Sequence, residues 1–157
     1  MSEHQNPFSN DEDRQEIWDM LVARDIAAFI AADWSIVAGD FVKSGFTGVH
    51  AQRSTNPDNW TMAFPSLDQY KTEWLKQAAE SQKTAFAEPL EAAIYRLTSL
   101  TQIDIVDGAA IAHKKFDGSI KLLSGSTEIL NWQTLYFCRK SEGRWKISGF
   151  VGYMAHR

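Results

Sequence analysis

The sequence predicts an α+β fold, with helices packed on one face of a curved antiparallel sheet. Two observations carry this. Apolar residues recur at spacings of three and four through the first third of the chain and again after Pro65. From Ala92 onward the pattern changes to alternation, divided by the turn sequences Val106-Asp107-Gly108, Asp117-Gly118 and Ser141-Glu142-Gly143 into a meander.

Taken in order, residues 1–9 read as a loose tail and residues 10–157 as one domain. Ser9, Asn10 and Asp11 supply N-cap side chains to a helix whose first turn is acidic, as the helix dipole favours. Ile17, Trp18, Leu21, Val22, Ile26, Ala28, Phe29 and Ile30 make most of Asp11 to Ala32 one amphipathic helix. Asp33 caps a short second helix that ends near Gly39. Phe41, Phe46 and Val49 suggest a short strand, followed by a loop from Gln52 to Asn59. Residues 52–64, with Trp60, Met62 and Phe64, are the expected rim of a pocket. Ser66 and Gln69 resemble a capping box, and Leu67, Tyr70, Trp74, Leu75 and Ala78 carry a helix to about Gln82.

A long strand is predicted from Ala92, with Ala93, Tyr95, Leu97, Ser99, Thr101, Ile103 and Ile105 on one face. Three more strands follow, from Ala109 to Phe116, Glu128 to Lys140 and Arg144 to Met154. On the third, Trp132 and Tyr136 share one face and Leu135 and Phe137 the other. On the last, Trp145, Ile147, Val151 and Tyr153 share a face. Large apolar groups on both faces predict a homodimer through the outer face of the sheet.

Composition narrows the function. The 157 residues are 44% hydrophobic, enough for one core, with a net charge of −4. Sixteen Lys and Arg against twenty Asp and Glu, with no dense basic run, give no broad positive field for a phosphate backbone, so nucleic acid is not an expected partner. No leader-like h-region or apolar run of spanning length is visible, so no membrane partner is expected. One cysteine, Cys138, cannot form an internal disulfide and points to a cytoplasmic setting; it reads as a structural thiol. His4, His50, His113 and His156 show no ligand spacing, so no metal is expected, and no dinucleotide or phosphate-binding motif calls for a cofactor.

The order of elements, with Asp33-Trp34 near the end of the long helix, Gly39-Asp40-Phe41 before a short strand, and Gly143-Arg144-Trp145-Lys146-Ile147 opening the last strand, resembles the nuclear transport factor 2-like superfamily. The resemblance covers nearly the whole chain. It implies a cone: a bent sheet wrapped around the long helix, with a pocket that SnoaL-like polyketide cyclases, ketosteroid isomerase and scytalone dehydratase use as an active site. Other members bind small molecules or proteins without chemistry, and the fold does not choose between these uses.

The isomerases place a base at the end of the short strand after the second helix. Matching Asp33 to the acidic residue that starts that helix puts His50 at the base position; matching Asp25 instead puts Asp40 there. The first register leaves a first helix of the usual length and sets Asp25 where the isomerases carry an oxyanion-donating tyrosine. Imidazole is a competent base near neutral pH. His113, beside Ile111 on its strand, is the candidate polar partner, while Lys114 and Phe116 point to its other side. Trp18, Phe46, Trp60, Tyr95 and Trp132 are the expected ligand-binding aromatics. The resemblance thus implies a protein that binds an apolar small molecule, with cofactor-independent proton transfer, dehydration or cyclisation on a carbonyl compound as one use of the pocket. A non-catalytic ligand-binding or dimerisation module is the other.

Overall fold

The computed structural model describes residues 5–156. His4 and the start of the expected tail lie outside the described residues. From Gln5 on the chain is tied to the first helix: the Asn6 Nδ2 donates to Gln15 O at 2.9 Å, and Phe8 packs against the core.

The N-terminal rod is continuous but not uniform. It runs as α1 (Glu12–Trp18), a π-helical stretch (Asp19–Arg24) and α2 (Asp25–Ala31). Asp11 caps it by accepting the Arg14 N–H, and Ala32 closes it in the left-handed conformation. The π turn is absent from the sequence reading because apolar spacing does not distinguish one wide turn inside a long helix. Beyond it, Asp33 accepts the Ser35 N–H and opens a 3-10 turn (Trp34–Ile36), followed by a second (Ala38–Asp40), where a single short helix was expected.

The sheet has six strands in the order β2-β1-β6-β5-β4-β3. They are β1 (Thr47–His50), β2 (Thr61–Phe64), β3 (Thr98–Val106), β4 (Ala109–Lys121), β5 (Thr127–Ser141) and β6 (Arg144–Met154). All neighbours are antiparallel except β1 and β6, which run parallel. Gly149 permits that pairing, since a Cβ there would lie 2.6 Å from Thr47 O. The α3 helix (Leu67–Lys83) is capped by Ser66, whose hydroxyl accepts the Gln69 N–H.

Three expectations need correction. Residues Leu90–Leu97 form a helix, α4, and the strand begins at Thr98. Leu90, Ala93, Ile94 and Leu97 fit a helical face after Pro89, and that face packs with Ile120 and Leu130. β4 does not stop at Asp117; it runs to Lys121, with Gly118 taking φ +151° inside the strand, a conformation that residues with a Cβ rarely adopt. Val151 does not share a face with Trp145. Phe137 pairs Gly149 while Cys138 pairs Ile147, so Ser148 is an extra residue in β6, and the bulge turns Phe150 inward in place of Val151.

The inner face of the sheet and the rod enclose one main core, including Ile17, Met20, Leu21, Ile26, Trp145, Ile147 and Phe150. Trp145 is fixed to the rod: its backbone N–H donates to Glu16 at 2.6 Å and its indole N–H to Asp13 at 2.9 Å. Among the described residues no helix is long and apolar enough to cross a membrane.

Candidate functional site

The inward face of β4 carries Ala110, Ala112, Lys114 and Phe116, and Lys114 is the exception among small and apolar side chains. Its side chain is 1% exposed. The ammonium is satisfied from the rod: Nζ donates to Leu21 O at 2.6 Å and to Asp25 Oδ2 at 3.2 Å. Leu21 lies in the π-helical stretch and Asp25 is the first residue of α2, so the wide turn presents both acceptors to the strand. The Phe116 and Tyr136 rings flank the ammonium at 5.2 and 5.9 Å from their centroids.

This ion pair stands at the inner end of a hollow. A chamber of about 120 Å³ is lined by Asp25, Lys114, Tyr70, Tyr136, Thr134 and Gln77 together with Phe29, Trp74, Phe116, Trp132 and Phe150. Phe29, Gln77, Phe116, Trp132 and Tyr153 also line an outer vestibule of about 460 Å³, whose remaining wall includes Phe86, Leu90, Ile94 and Ile120 from α4, β4 and the loop before them. Together they reach the size of ordinary small-molecule sites.

Burial raises both Tyr70 and Tyr136 hydroxyls well above the usual phenol range, with the nearby Asp25 carboxylate adding to the effect. The two hydroxyls also interact with each other. Like any phenol near neutral pH, both are protonated and can donate a hydrogen bond. Asp25 keeps a third of its side-chain surface, 34%, open to the hollow and solvent.

The residues expected to carry catalysis lie in three separate places, and none lines the chamber. Asp40 is 1% exposed and sits between Arg24, at 2.8 and 3.0 Å, and Arg144, a bridge that joins the rod to the start of β6. His113 lies on the outer face, opposite to Lys114, where its Nε2 is 3.0 Å from Asp104 on β3. The period of two sends His113 outward once Lys114 faces in. His50, at the end of β1, stacks on Tyr153 with centroids 4.3 Å apart, and its Nδ1 accepts the Gln52 N–H at 3.0 Å. Burial and the Arg53 charge lower its pKa below the ordinary imidazole value.

Of the expected ligand-binding aromatics, Trp132 lines both chamber and vestibule. Phe46 is core, edge-on to Phe41 and Phe150. Trp60 is pinned in its loop by an indole N–H to Ser54 O bond of 3.0 Å. Trp18 and Tyr95 meet in a different groove beneath Gln5 and Pro7. The expected rim segment instead forms a 3-10 turn (Pro57–Asn59) and β2 at the sheet edge. Cys138 is buried with its thiol pushed up to about 12. No cluster of three or more His, Cys, Asp or Glu among the described residues could hold a metal ion.

Lys114, Tyr70 and Gln77 were missed as site residues. The signal for Lys114 was present: a lone cation on the strand face that otherwise reads Ala110, Ala112, Phe116. Tyr70 and Gln77 lie two turns apart on one stripe of α3, and nothing local separates them from ordinary core and surface positions.

No known family profile matches the sequence, and no curated protein matches it. Solved structures do. A nuclear transport factor 2-like protein of unknown function from Shewanella baltica OS155 is 16% identical, with 92% of this chain and 95% of that one covered at a TM-score of 0.57. A conserved protein from Planctomyces limnophilus DSM 3776 is 14% identical, with 89% and 94% covered and a TM-score of 0.57. A nuclear transport factor 2-like superfamily protein from Salmonella enterica serovar Typhimurium LT2 is 14% identical, with 91% of each chain covered and a TM-score of 0.56. Near-complete coverage in both directions, together with the bent six-stranded sheet closed on a long helical rod, makes the fold of this chain the nuclear transport factor 2-like cone.

Proposed function

We propose that the cone binds a small carbonyl compound and moves a proton on it without a cofactor. The observation that carries this reading is the Asp25–Lys114 pair, 3.2 Å apart, in the wall of the inner chamber that the Tyr70 and Tyr136 side chains also line. A carbonyl oxygen entering the chamber meets the Lys114 ammonium and a tyrosine O–H as donors. The Asp25 carboxylate takes a proton from the adjacent carbon, and the electron pair of that C–H bond moves to the oxygen as an enolate held by the same donors. Return of the proton to the same or a conjugated carbon completes exchange or isomerisation. Asp25 thereby takes the base role, and the role of His50 is to shape the rim.

The test is deuterium exchange at carbons next to the carbonyl, followed by proton NMR in D2O over a panel of cyclic and chain ketones. Exchange above the buffer rate that disappears in Asp25→Asn is the expected result. Binding of the same ketones without exchange supports a binding module instead.

The outer sheet face supports a homodimer. Ile111, His113, Leu135, Phe137 and Val151 are adjacent across β4, β5 and β6, and Phe137 is exposed. The single buried thiol supports a cytoplasmic setting, which cell fractionation would check.

A further inference from the structure

Arg53 stands at the vestibule wall in a backbone conformation that chance does not supply. It and the preceding Gln52 both adopt the left-handed region, at φ 55° and 57°, where residues with a Cβ are strained. Four hydrogen bonds hold that turn. Ala51 N–H donates to Gly152 O and Arg53 N–H to Tyr153 O, each at 2.8 Å, Ser54 N–H donates to Ala51 O, and Gln52 N–H donates to His50 Nδ1. The result aims the guanidinium at the Trp132 ring, 5.6 Å from its centroid. Among the described residues Arg53 makes no ion pair, although Glu80 and Glu128 also line the vestibule.

A continuous wall joins this cation to the inner one. Lys114 lies against Phe116, Phe116 against Trp132 with centroids 4.9 Å apart, and Trp132 under Arg53. The two cations are therefore no farther apart than these three contacts laid end to end. They differ in one respect: Lys114 is neutralised by Asp25, and among the described residues Arg53 has no carboxylate within ion-pair distance.

We infer that the ligand is an amphipathic carboxylate, a keto acid whose carboxylate is held by Arg53 at the mouth while its apolar body lies along Trp132 and Phe116 and its carbonyl reaches Lys114. The planar fork of an arginine matches a carboxylate bidentately, and stacking on an indole fixes the plane of the fork. The vestibule lining also includes the apolar Phe86, Leu90 and Ile94, as a chain between two polar ends requires. This rests on the reading that the chamber takes a carbonyl. His50 is a positioning residue here, since its ring nitrogen holds the turn that presents Arg53.

The experiment is isothermal titration of 8-oxononanoic acid and of its methyl ester into the full chain, as wild type, Arg53→Gln, Arg53→Lys and Lys114→Met. The wild type is expected to bind the acid about tenfold more tightly than the ester, as one charge-assisted hydrogen-bonded pair predicts. Arg53→Gln should abolish that preference by bringing the affinity for the acid down to that for the ester, Arg53→Lys should keep part of it, and Lys114→Met should weaken both ligands equally. A preference that is absent from the wild type, or that survives Arg53→Gln, overturns the role of Arg53 while leaving the chamber reading standing. Equal affinity of Lys114→Met and wild type for the ester overturns the chamber reading and with it the placement of the carbonyl, leaving only the carboxylate at Arg53, and failure of both ligands to bind overturns both.

Discussion

Removing either half of the Asp25–Lys114 pair should have unequal consequences for stability, and the inequality follows from exposure. In Asp25→Ala the ammonium stays where its side chain is 1% exposed, with only Leu21 O and two ring faces as partners. Breaking a buried pair in this way costs about 3–5 kcal/mol, and the surviving carbonyl bond puts this case near about 3 kcal/mol. In Lys114→Met the remaining carboxylate is 34% exposed and water can replace its bond to the ammonium, so the bond to Leu21 O is the one lost without replacement, and the methionine stem fills the space. That costs about 1 kcal/mol or less. The double variant should resemble Lys114→Met, so the coupling equals the whole cost of Asp25→Ala, about 3 kcal/mol. Urea unfolding followed by far-UV circular dichroism at pH 7 reads this directly, since about 3 kcal/mol moves the midpoint down by roughly 1–2 M in a domain of this size. Equal losses in the two single variants, or a double variant as unstable as their sum, would refute the claim that the cost lies in stranding the lysine.

Two more outcomes are expected. The wild type is expected to sediment as a dimer, and Phe137→Glu with Leu135→Glu to leave the fold intact by circular dichroism and sediment as a monomer; a monomeric wild type, or a dimer that survives the pair of charges, removes the outer face as the interface. The His50 ring, followed by NMR, should titrate below 6.5, because burial first and the Arg53 charge second disfavour its cation. Its neutral form is the one the fold prefers, so its contribution to stability is complete above 6.5 and lost as the pH falls through the lowered value. Arg53→Gln should bring the midpoint up towards 6.5, and a midpoint at or above 6.5 in the wild type would show that the ring is not buried beside the Arg53 charge as described.

What could be read in advance was whatever depends on neighbours along the chain. Asp11, Asp33 and Ser66 were recognisable as caps because each accepts a backbone N–H two or three residues on. The meander was visible because glycine-containing turns interrupt alternating runs. The site depended on choices that alternation cannot make. A bulged Ser148 changes which residues of β6 face inward, and a single π turn sets Leu21 O and Asp25 opposite Lys114. Ala93, Tyr95 and Leu97 fit a strand face as well as Leu90, Ala93, Ile94 and Leu97 fit a helix, and packing on Ile120 decided between them. The expected bases, by contrast, came from aligning a loose pattern of acidic residues, and Asp40 answers to two arginines instead.

The parallel pairing of β1 with β6 also has a bearing on how the chain reaches this state. Thr47 finds its partner Gly149 about a hundred residues later, and the Arg24–Asp40 bridge waits equally long for Arg144. During synthesis the rod and β1 therefore emerge with their inward faces unmatched, while the antiparallel hairpins of β4, β5 and β6 can form from local contacts. Closure of the cone is then a late, long-loop event nucleated on the hairpins, and the rate of folding should respond to substitutions in β5 and β6 while the rate of unfolding responds to those around β1.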